Sequence, residues 1–329
     1  MNMCSNPSKP LLLIYAAVLC GLTSCYNVNF DDEASNVFAC SQDEECREDF
    51  VCWNGACVDD RGPQLTVLGP EPLSAFDSDT TEIEIAFRGT DLVLSNNFET
   101  ATAGEGYLEV YIDGVPVRSQ AEGTAITEGD LQSGFSIGAV PIPDPTLVNH
   151  RIEVRAVRGD GSRYENPSGT GRQIFFVRDA TLFMSASRPM MAITKPWPGS
   201  KLKRGRPVTV ELAAVDFTWT NPTGEATPGD IKEGHAHIFF GRDDYPECLP
   251  GCNGLYVDTL RPANGETSDD RILRTSDLAH REDQPSGDFV VSAGLQRNNH
   301  APWPGADPLG EDFDVADAIA DNVIVELVD

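Results

Sequence analysis

The residues with the clearest capacity for chemistry are histidines in the C-terminal half of the chain. Four of the five histidines lie there, and His235 and His237 are two positions apart. Side chains of a β-strand alternate between faces, so on a strand both imidazoles point the same way. Two neutral imidazoles can bind Zn²⁺ or Cu²⁺ when another group completes the coordination, and His300, just after a predicted strand, is the expected third ligand. The alternative is a pair of half-buried histidines hydrogen-bonded to loops.

Motifs of established catalytic chemistry are missing from the sequence. It has no G-x-S-x-G, P-loop or G-x-G-x-x-G pattern, and no glutamate stands beside the histidines as in H-E-x-x-H. The acidic run at residues 311–321 lacks the glycine and terminal glutamate of an EF-hand, which favours a solvated loop. We therefore expect a protein that is not an enzyme, with histidines that bind a metal rather than catalyse with it.

The charge of the chain restricts its partners. Acidic residues outnumber basic residues 52 to 24, for a net charge of −28. Nucleic acids and anionic lipids are bound through positive surfaces, so neither is an expected electrostatic partner. The basic side chains cluster at residues 195–206. This segment is either a solvated turn or a docking patch for an acidic partner or for the protein's own acidic face.

The first 24 residues have the features of a signal peptide. A lysine is followed by an apolar run at residues 11–22. This run is shorter than the roughly 20 residues needed to span a bilayer. The run ends in Leu-Thr-Ser-Cys25, which resembles the lipobox of bacterial lipoproteins. That resemblance implies triacylation of Cys25 and a tether over residues 25–39. Because Tyr26 rather than aspartate follows the cysteine, it also implies an outer-membrane location, on the periplasmic face or the cell surface. The alternative is an ordinary secretory signal.

Six cysteines remain beyond this position, and four of them are clustered at Cys40, Cys46, Cys52 and Cys57. A segment of about 20 residues cannot bury a core, so covalent cross-links are the expected means of stabilising residues 40–62. Four cysteines allow three pairings. The segment resembles knottin-like modules and the Cys-rich modules of proteins secreted by myxobacteria and their relatives, which implies the pairs Cys40–Cys52 and Cys46–Cys57. A four-cysteine zinc site is the alternative, although no C-x2-C pair is present.

The last two cysteines, Cys248 and Cys252, are separated by Leu-Pro-Gly. Because a Pro-Gly turn brings its flanking residues together, a local disulfide is expected. Redox activity favours C-x2-C at the start of a helix, and a C-x3-C pair in a Gly/Pro loop does not match that pattern.

From residue 63 onward the sequence has the pattern of β-strands. Residues 82–87 and 151–157 alternate between apolar and polar side chains, which indicates strands with one buried face. Asp-Gly pairs at Asp113 and Asp160 are typical of hairpin turns. Other strand-like runs occur at residues 64–68, 107–112, 173–177, 191–194, 208–217, 235–240, 255–258, 288–295 and 322–328. This spacing predicts a mostly β fold: a small disulfide-rich module followed by two Ig-like β-sandwich domains, residues 63–180 and 188–329.

The two halves of this β-rich region parallel each other. A strand that begins with glycine occurs in both, at residues 106–113 and 234–241. Two related sandwiches are the preferred interpretation, and chance similarity between β-rich segments is the alternative. In this alignment Tyr107 and Glu109 take the places of the paired histidines, so the fold does not depend on histidine there.

The second half also resembles secreted bacterial β-domains of unassigned function. The resemblance rests on a Gly-His-x-His strand that contains His235 and His237, and on Asn-His-Ala-Pro around His300. Those domains carry a further histidine where this chain has Ala236, a position that points to the opposite face of a strand. The resemblance covers residues 230–329 and implies no particular activity.

These features together predict a lipid-anchored protein of the cell envelope that binds a ligand or serves as a scaffold. Its expected partners are the membrane, through the lipid on Cys25, and a protein or glycan ligand. The alternative is a metal-binding lipoprotein that holds Zn or Cu with His235, His237 and His300.

Overall fold

The computed structural model describes residues 40, 43–53, 56–118, 125–145, 147–178, 189–205, 207–221, 232–242, 256–260, 272–279, 286–297 and 320–329. Within these ranges the chain forms β-strands and two short 3-10 turns. Among the same residues, no helix is both long and apolar enough to cross a membrane. The predicted mostly β fold is confirmed. All of the strands lie in one of the two units into which the chain divides, Phe38–Asp329.

The first module is held together by two disulfides. A 3-10 turn at Asp43–Glu45 precedes two short antiparallel strands, β1 (Phe50–Trp53) and β2 (Ala56–Asp59). Disulfides join Cys40 to Cys52 and Cys46 to Cys57, the pairing that the knottin-like resemblance implies. No residue of either strand is fully buried, so cross-links take the place of a core. Because these four sulfurs are bonded to one another, they offer no thiolate to the alternative zinc site.

The first sandwich packs two sheets face to face. Its strands are, in chain order, β3 (Gln64–Gly69), β4 (Ala75–Phe76), β5 (Glu82–Thr90), β6 (Val93–Leu94), β7 (Glu105–Ile112), β8 (Val115–Arg118), β9 (Ala125–Ile126), β10 (Phe135–Pro141), β11 (Asn149–Val157) and β12 (Thr170–Val177). The smaller sheet has the order β10-β5-β3, and the larger β4-β12-β11-β7-β6, with β8 and β9 also paired to β7. Along β5, Ile83, Ile85 and Phe87 are buried, while Glu82 and Glu84 are exposed. The apolar positions of the alternating sequence therefore mark the face of the strand that packs against the core.

The second sandwich repeats this arrangement. Its strands are β13 (Met190–Lys195), β14 (Lys201–Lys203), β15 (Pro207–Val215), β16 (Thr218–Trp219), β17 (Glu233–Arg242), β18 (Tyr256–Leu260), β19 (Ile272–Ala279), β20 (Gly287–Arg297) and β21 (Ala320–Val328). The smaller sheet has the order β13-β15-β19, and the larger β14-β21-β20-β17-β16, with β18 paired to β17. Trp219 and Phe289 are the largest side chains of its core.

The two sandwiches match in the order of their main sheet strands, while β9 has no counterpart among the described strands of the second. The order β10-β5-β3 corresponds to β19-β15-β13, and β4-β12-β11-β7-β6 corresponds to β14-β21-β20-β17-β16. Local details repeat as well, since cis peptide bonds precede Pro70 and Pro196, and Asp91 and Asp216 adopt positive φ at equivalent turns. In immunoglobulin-type sandwiches, strands A, B and E share one sheet and strands C, F and G the other. Here β3, β5 and β10 take the first set of places, and β7, β11 and β12 the second.

Two strands of the smaller sheets have no counterpart among the predicted strands. Strand β10 is interrupted near Gly138, which has φ +78°, and its register with β5 shifts between Ser136 and Ala139. A bulge of this kind breaks the period-2 alternation on which sequence recognition depends. Strand β19 pairs with β15 and likewise contains a register shift opposite residues 208–210.

The two sandwiches share a third cluster of buried apolar side chains. The outer face of the larger sheet of the first sandwich meets the outer face of the smaller sheet of the second. The side chains of this shared cluster are Leu73, Val148, Ile174 and Phe176 from the first, with Met190, Ala192, Trp197, Ala213 and Val215 from the second. Burial of this apolar area joins the sandwiches directly rather than through a linker alone.

Polar contacts fasten the same interface. Arg151 of β11 forms an ion pair with Asp321 of β21, and both side chains are nearly buried. The Asp321 carboxylate also accepts a hydrogen bond from the Ile193 amide (2.7 Å), and Arg151 donates to the Ile193 carbonyl (3.3 Å). Asn149 donates to the Met191 carbonyl (3.3 Å). One buried carboxylate therefore ties together three strands, β11, β13 and β21.

Candidate functional site

The predicted histidine pair lies on the outer face of the larger sheet of the second sandwich. In β17, Ala236 and Ile238 face the core, so His235 and His237 face away from it. The two Nε2 atoms lie 3.1 Å apart. His235 is fully buried and His237 is partly buried. The expected common orientation of the two rings is thus present.

The separation of these nitrogens suits either of two arrangements. A hydrogen bond requires one ring to donate and the other to accept. A metal bound at 2.0–2.1 Å from both would place two cis nitrogens roughly 2.9–3.4 Å apart. The pairing of β6 with β7 and of β16 with β17 aligns Gly106 with Gly234. Tyr107 and Glu109 therefore occupy the equivalent positions, as the sequence predicts.

Several predicted site residues lie outside the described part of the chain. These are the proposed third metal ligand, the lipidation site and the second cysteine pair, namely His300, Cys25, Cys248 and Cys252. The signal peptide at residues 1–24 and the tether at residues 25–39 also lie outside it. Among the described residues, one place brings three potential metal ligands together, namely Cys40, Cys46 and Cys57. All three of these cysteines are bonded in disulfides and offer no thiolate to a metal.

A cleft, which we call the junction cleft, opens where the three modules meet. Its volume of about 600 Å³ is within the range of small-molecule sites. The disulfide module contributes Trp53, the first sandwich contributes Thr66 and Arg172, and the second contributes Lys195 and Trp197. No single module could form this cleft, so it depends on the buried interface between the sandwiches.

Arg172 is one of the residues that line the junction cleft. It projects from the outer face of β12, and its guanidinium carbon lies 4.8 Å from the ring centroid of Trp53 and 5.9 Å from that of Trp197. Both separations are those of cation–π contacts. Burial lowers the pKa of the Arg172 guanidinium below its ordinary value, although an arginine remains charged under all physiological conditions. The indoles of Trp53 and Trp197, which belong to different modules, both contact the Arg172 guanidinium.

A short polar ladder lies behind Arg172 on the same sheet face. Glu153 of β11 is opposite both Arg172 and Tyr111 in the strand register. Its carboxylate accepts a hydrogen bond from Arg155 Nε (2.6 Å), while Arg172 Nε is 3.6 Å from the other carboxylate oxygen. Tyr111, under the Arg155 guanidinium, donates to Glu109 (2.6 Å). One carboxylate is therefore shared between two arginines, and the closer contact belongs to Arg155.

The disulfide module is fixed to the first sandwich beside the cleft. Asp60 accepts hydrogen bonds from the Ser168 amide (2.8 Å) and hydroxyl (2.6 Å), at the 3-10 turn Pro167–Gly169. Asn166 donates to the Pro63 carbonyl (2.8 Å). These contacts set the position of Trp53 relative to Arg172.

The sequence carries no local signal for this cleft. Trp53, Arg172 and Trp197 lie in three modules and far apart along the chain, and only the packing of the modules brings them together. The basic segment, by contrast, was recognised from composition. Within it, Lys201 pairs with Glu326 (3.6 Å) and Arg204 pairs with Asp329. Both are exposed pairs on the protein itself, one with strand β21 and one with the residue that follows this strand.

No protein-family model matches the chain, and no curated protein matches its sequence. Solved structures that align with it include fibronectin(III)-like modules of CbhA from Clostridium thermocellum, with 13% identity, 80% of this chain and 94% of that chain covered, and a TM-score of 0.24. They also include the N-terminal Ig1-2 module of the Drosophila receptor protein tyrosine phosphatase DLAR, with 11% identity, 81% and 98% covered, and a TM-score of 0.23. The strand order in the two sheets of each sandwich independently defines the chain as a tandem of Ig-like β-sandwiches behind a disulfide-rich module.

Proposed function

We propose that this chain is a non-enzymatic, lipid-anchored binding protein of the bacterial outer membrane, and that its ligand occupies the junction cleft. The observation that carries the proposal is the way three modules are fastened into one body around a cleft lined by Trp53, Arg172 and Trp197. Modules that only act as spacers have no need for a buried ion pair and a shared apolar cluster between them. A fixed junction keeps the walls of a binding site in place before the ligand arrives, which lowers the ordering cost of binding.

The test is affinity capture with three forms of the protein, the wild type and two variants. Thr66 is exposed on β3 and lines the cleft, so Thr66→Tyr fills the cleft without removing Arg172. Thr81→Tyr, at an exposed position away from the cleft, is the matched control. Cell-envelope protein and glycan fractions are passed over each immobilised form. We expect material that wild type and Thr81→Tyr retain and Thr66→Tyr does not. Equal retention by all three forms contradicts the proposal.

The lipid anchor is a separate part of the proposal. It is supported by the sequence Leu-Thr-Ser-Cys25 after an apolar run of signal-peptide length. The disulfides of the first module are also consistent with an oxidising compartment. We expect Cys25→Ala to be released from the membrane fraction and to lose labelling by a radioactive fatty acid. A variant that stays in the membrane and remains labelled contradicts the assignment.

A second candidate function is metal binding, favoured by the 3.1 Å separation of the His235 and His237 Nε2 atoms. We propose that these two histidines, with His300, bind Zn²⁺ or Cu²⁺. The measurement is metal content by elemental mass spectrometry after loading and dialysis, on protein without a histidine tag. We expect about one metal per chain in wild type and none in His235→Ala/His237→Ala. Equal metal content in the two forms excludes these ligands.

A further inference from the structure

We propose that Arg172 is an anion receptor and that the junction cleft takes its ligand through a carboxylate group. This inference rests on the proposed binding function of the cleft and names the chemistry of its ligand. Its central observation is a guanidinium held between Trp53 and Trp197 with few hydrogen bonds of its own.

The hydrogen-bonding capacity of Arg172 is largely unused. A guanidinium has five N–H donors. Within the described residues Arg172 makes one hydrogen bond, a long one from Nη1 to the Pro167 carbonyl (3.5 Å). Its Nε is buried without a hydrogen-bond acceptor, because the Glu153 oxygen at 3.6 Å is too distant to accept. Buried donors are satisfied in most proteins, so an arginine left in this state calls for an acceptor beyond those that the described residues supply.

The charge balance around Arg172 also favours an anion. Glu153 is shared with Arg155, which makes the shorter contact, so among the described residues Arg172 has no carboxylate within hydrogen-bond distance. Lys195, exposed at the rim, adds a further positive charge. Among the described residues that line the cleft, Asp43 supplies the one carboxylate, and it accepts a hydrogen bond from the Cys52 amide (2.7 Å). The cleft is therefore positive on a chain whose net charge is −28.

Geometry selects a carboxylate among anions. The Arg172 guanidinium carbon lies 4.8 Å from the Trp53 ring centroid and 5.9 Å from that of Trp197, and such contacts with ring faces use none of the N–H donors at the edge of the guanidinium. A planar carboxylate can accept two parallel hydrogen bonds from such an edge. The overall negative charge repels anions at long range, but salt screens this repulsion beyond about 8 Å, whereas a half-buried contact is screened much less. Uronic acids of glycans and free C-terminal carboxylates of peptides share this chemistry.

The experiment is calorimetric titration of the full-length protein with matched pairs of probes. In the glycan arm, trigalacturonate is compared with its methyl ester. In the peptide arm, a tetrapeptide with a free C-terminus is compared with its amide. We expect the carboxylate form in one arm to bind at least tenfold more tightly than its neutral form. Arg172→Lys, which keeps the charge but not the bidentate edge, should abolish that difference, while the exposed control Arg163→Lys should not.

Each outcome of this experiment either supports or overturns the inference that the cleft binds a carboxylate. Equal binding of charged and neutral probes by wild type overturns the inference, as does a carboxylate preference that survives in Arg172→Lys. If Arg172→Lys fails to fold, Thr66→Tyr, which keeps Arg172 and fills the cleft, must lose the preference instead. Capture of envelope material that is lost in Thr66→Tyr, without any carboxylate preference, overturns the carboxylate chemistry and leaves the cleft as a binding site. The absence of both capture and probe binding overturns both proposals.

Discussion

The ion pair between Arg151 and Asp321 provides the sharpest prediction about how the sandwiches are joined. Asp321→Asn keeps the size of the side chain but removes its charge. It leaves the Arg151 guanidinium, whose side chain is 12% exposed, without a counter-ion in the interface. Breaking a buried ion pair by removing one partner costs about 3–5 kcal/mol. For a chain of 329 residues with an unfolding entropy of about 2.1 cal/mol/K per residue, that loss corresponds to a decrease in the melting temperature of about 4–7 °C.

The assay is differential scanning calorimetry of the wild type and the variant. Glu326→Gln is a suitable control, because Glu326 pairs with Lys201 at 3.6 Å and both side chains are exposed. Loss of an exposed pair should cost at most about 1 kcal/mol. Replacement of both members of the buried pair, Arg151→Met with Asp321→Leu, should recover most of the stability, since an apolar pair avoids the desolvation cost.

If Asp321→Asn and Glu326→Gln lower the melting temperature by the same small amount, the buried ion pair does not stabilise the interface between the two sandwiches, and the reasoning is refuted. We expect instead that the calorimetric transition of Asp321→Asn is both lowered and split, because the two cores unfold independently once the interface weakens.

Three further predictions concern local structure. Burial raises the pKa of Tyr111 above its ordinary value, so its contribution to stability is intact below about pH 10 and is lost as the pH rises through the folded pKa. Burial also raises the pKa of Tyr107, so ultraviolet titration should show late-ionising tyrosines of which Tyr111→Phe removes one, and an unchanged curve contradicts this. Gly106→Ala places a Cβ against the Val157 carbonyl oxygen and should cost about 3 kcal/mol in denaturant unfolding, whereas Gly69→Ala, with its nearest neighbour at 3.5 Å, should cost less than half as much. Cys46→Ala should scramble the disulfide module, seen by peptide mapping, and leave the thermal transition of the sandwiches in place; loss of that transition would refute modular folding.

Much of the fold was predictable because it depends on local sequence patterns, such as strand alternation and turn residues. Period-2 alternation located β5 and β11, since each buries one face of a sheet. The Asp113–Gly114 hairpin was predictable because both residues adopt positive φ, as a type I′ turn requires, and aspartate and glycine tolerate it best. The internal repeat was detectable because the equivalent strands β7 and β17 carry a glycine at the same register, Gly106 and Gly234.

The features that depend on packing between modules were not predictable. Nothing adjacent to Ile174 or Met190 in the sequence indicates that the outer faces of two sandwiches meet there. Arg172 likewise occupies an ordinary outward position on a strand, and its role follows only from two tryptophans that other modules deliver. The paired histidines were predictable as a pair, because two residues on one strand need only their own backbone to share a face.

Hydrogen exchange measured by mass spectrometry tests the central claim, ligand binding at the junction cleft, most directly. Amide exchange of the wild-type protein is compared with and without the envelope fraction it retains. We expect slower exchange confined to peptides that line the cleft, above all Phe50–Trp53 and Thr170–Val177. Protection that maps instead to Glu233–Arg242, or no protection anywhere, would contradict it.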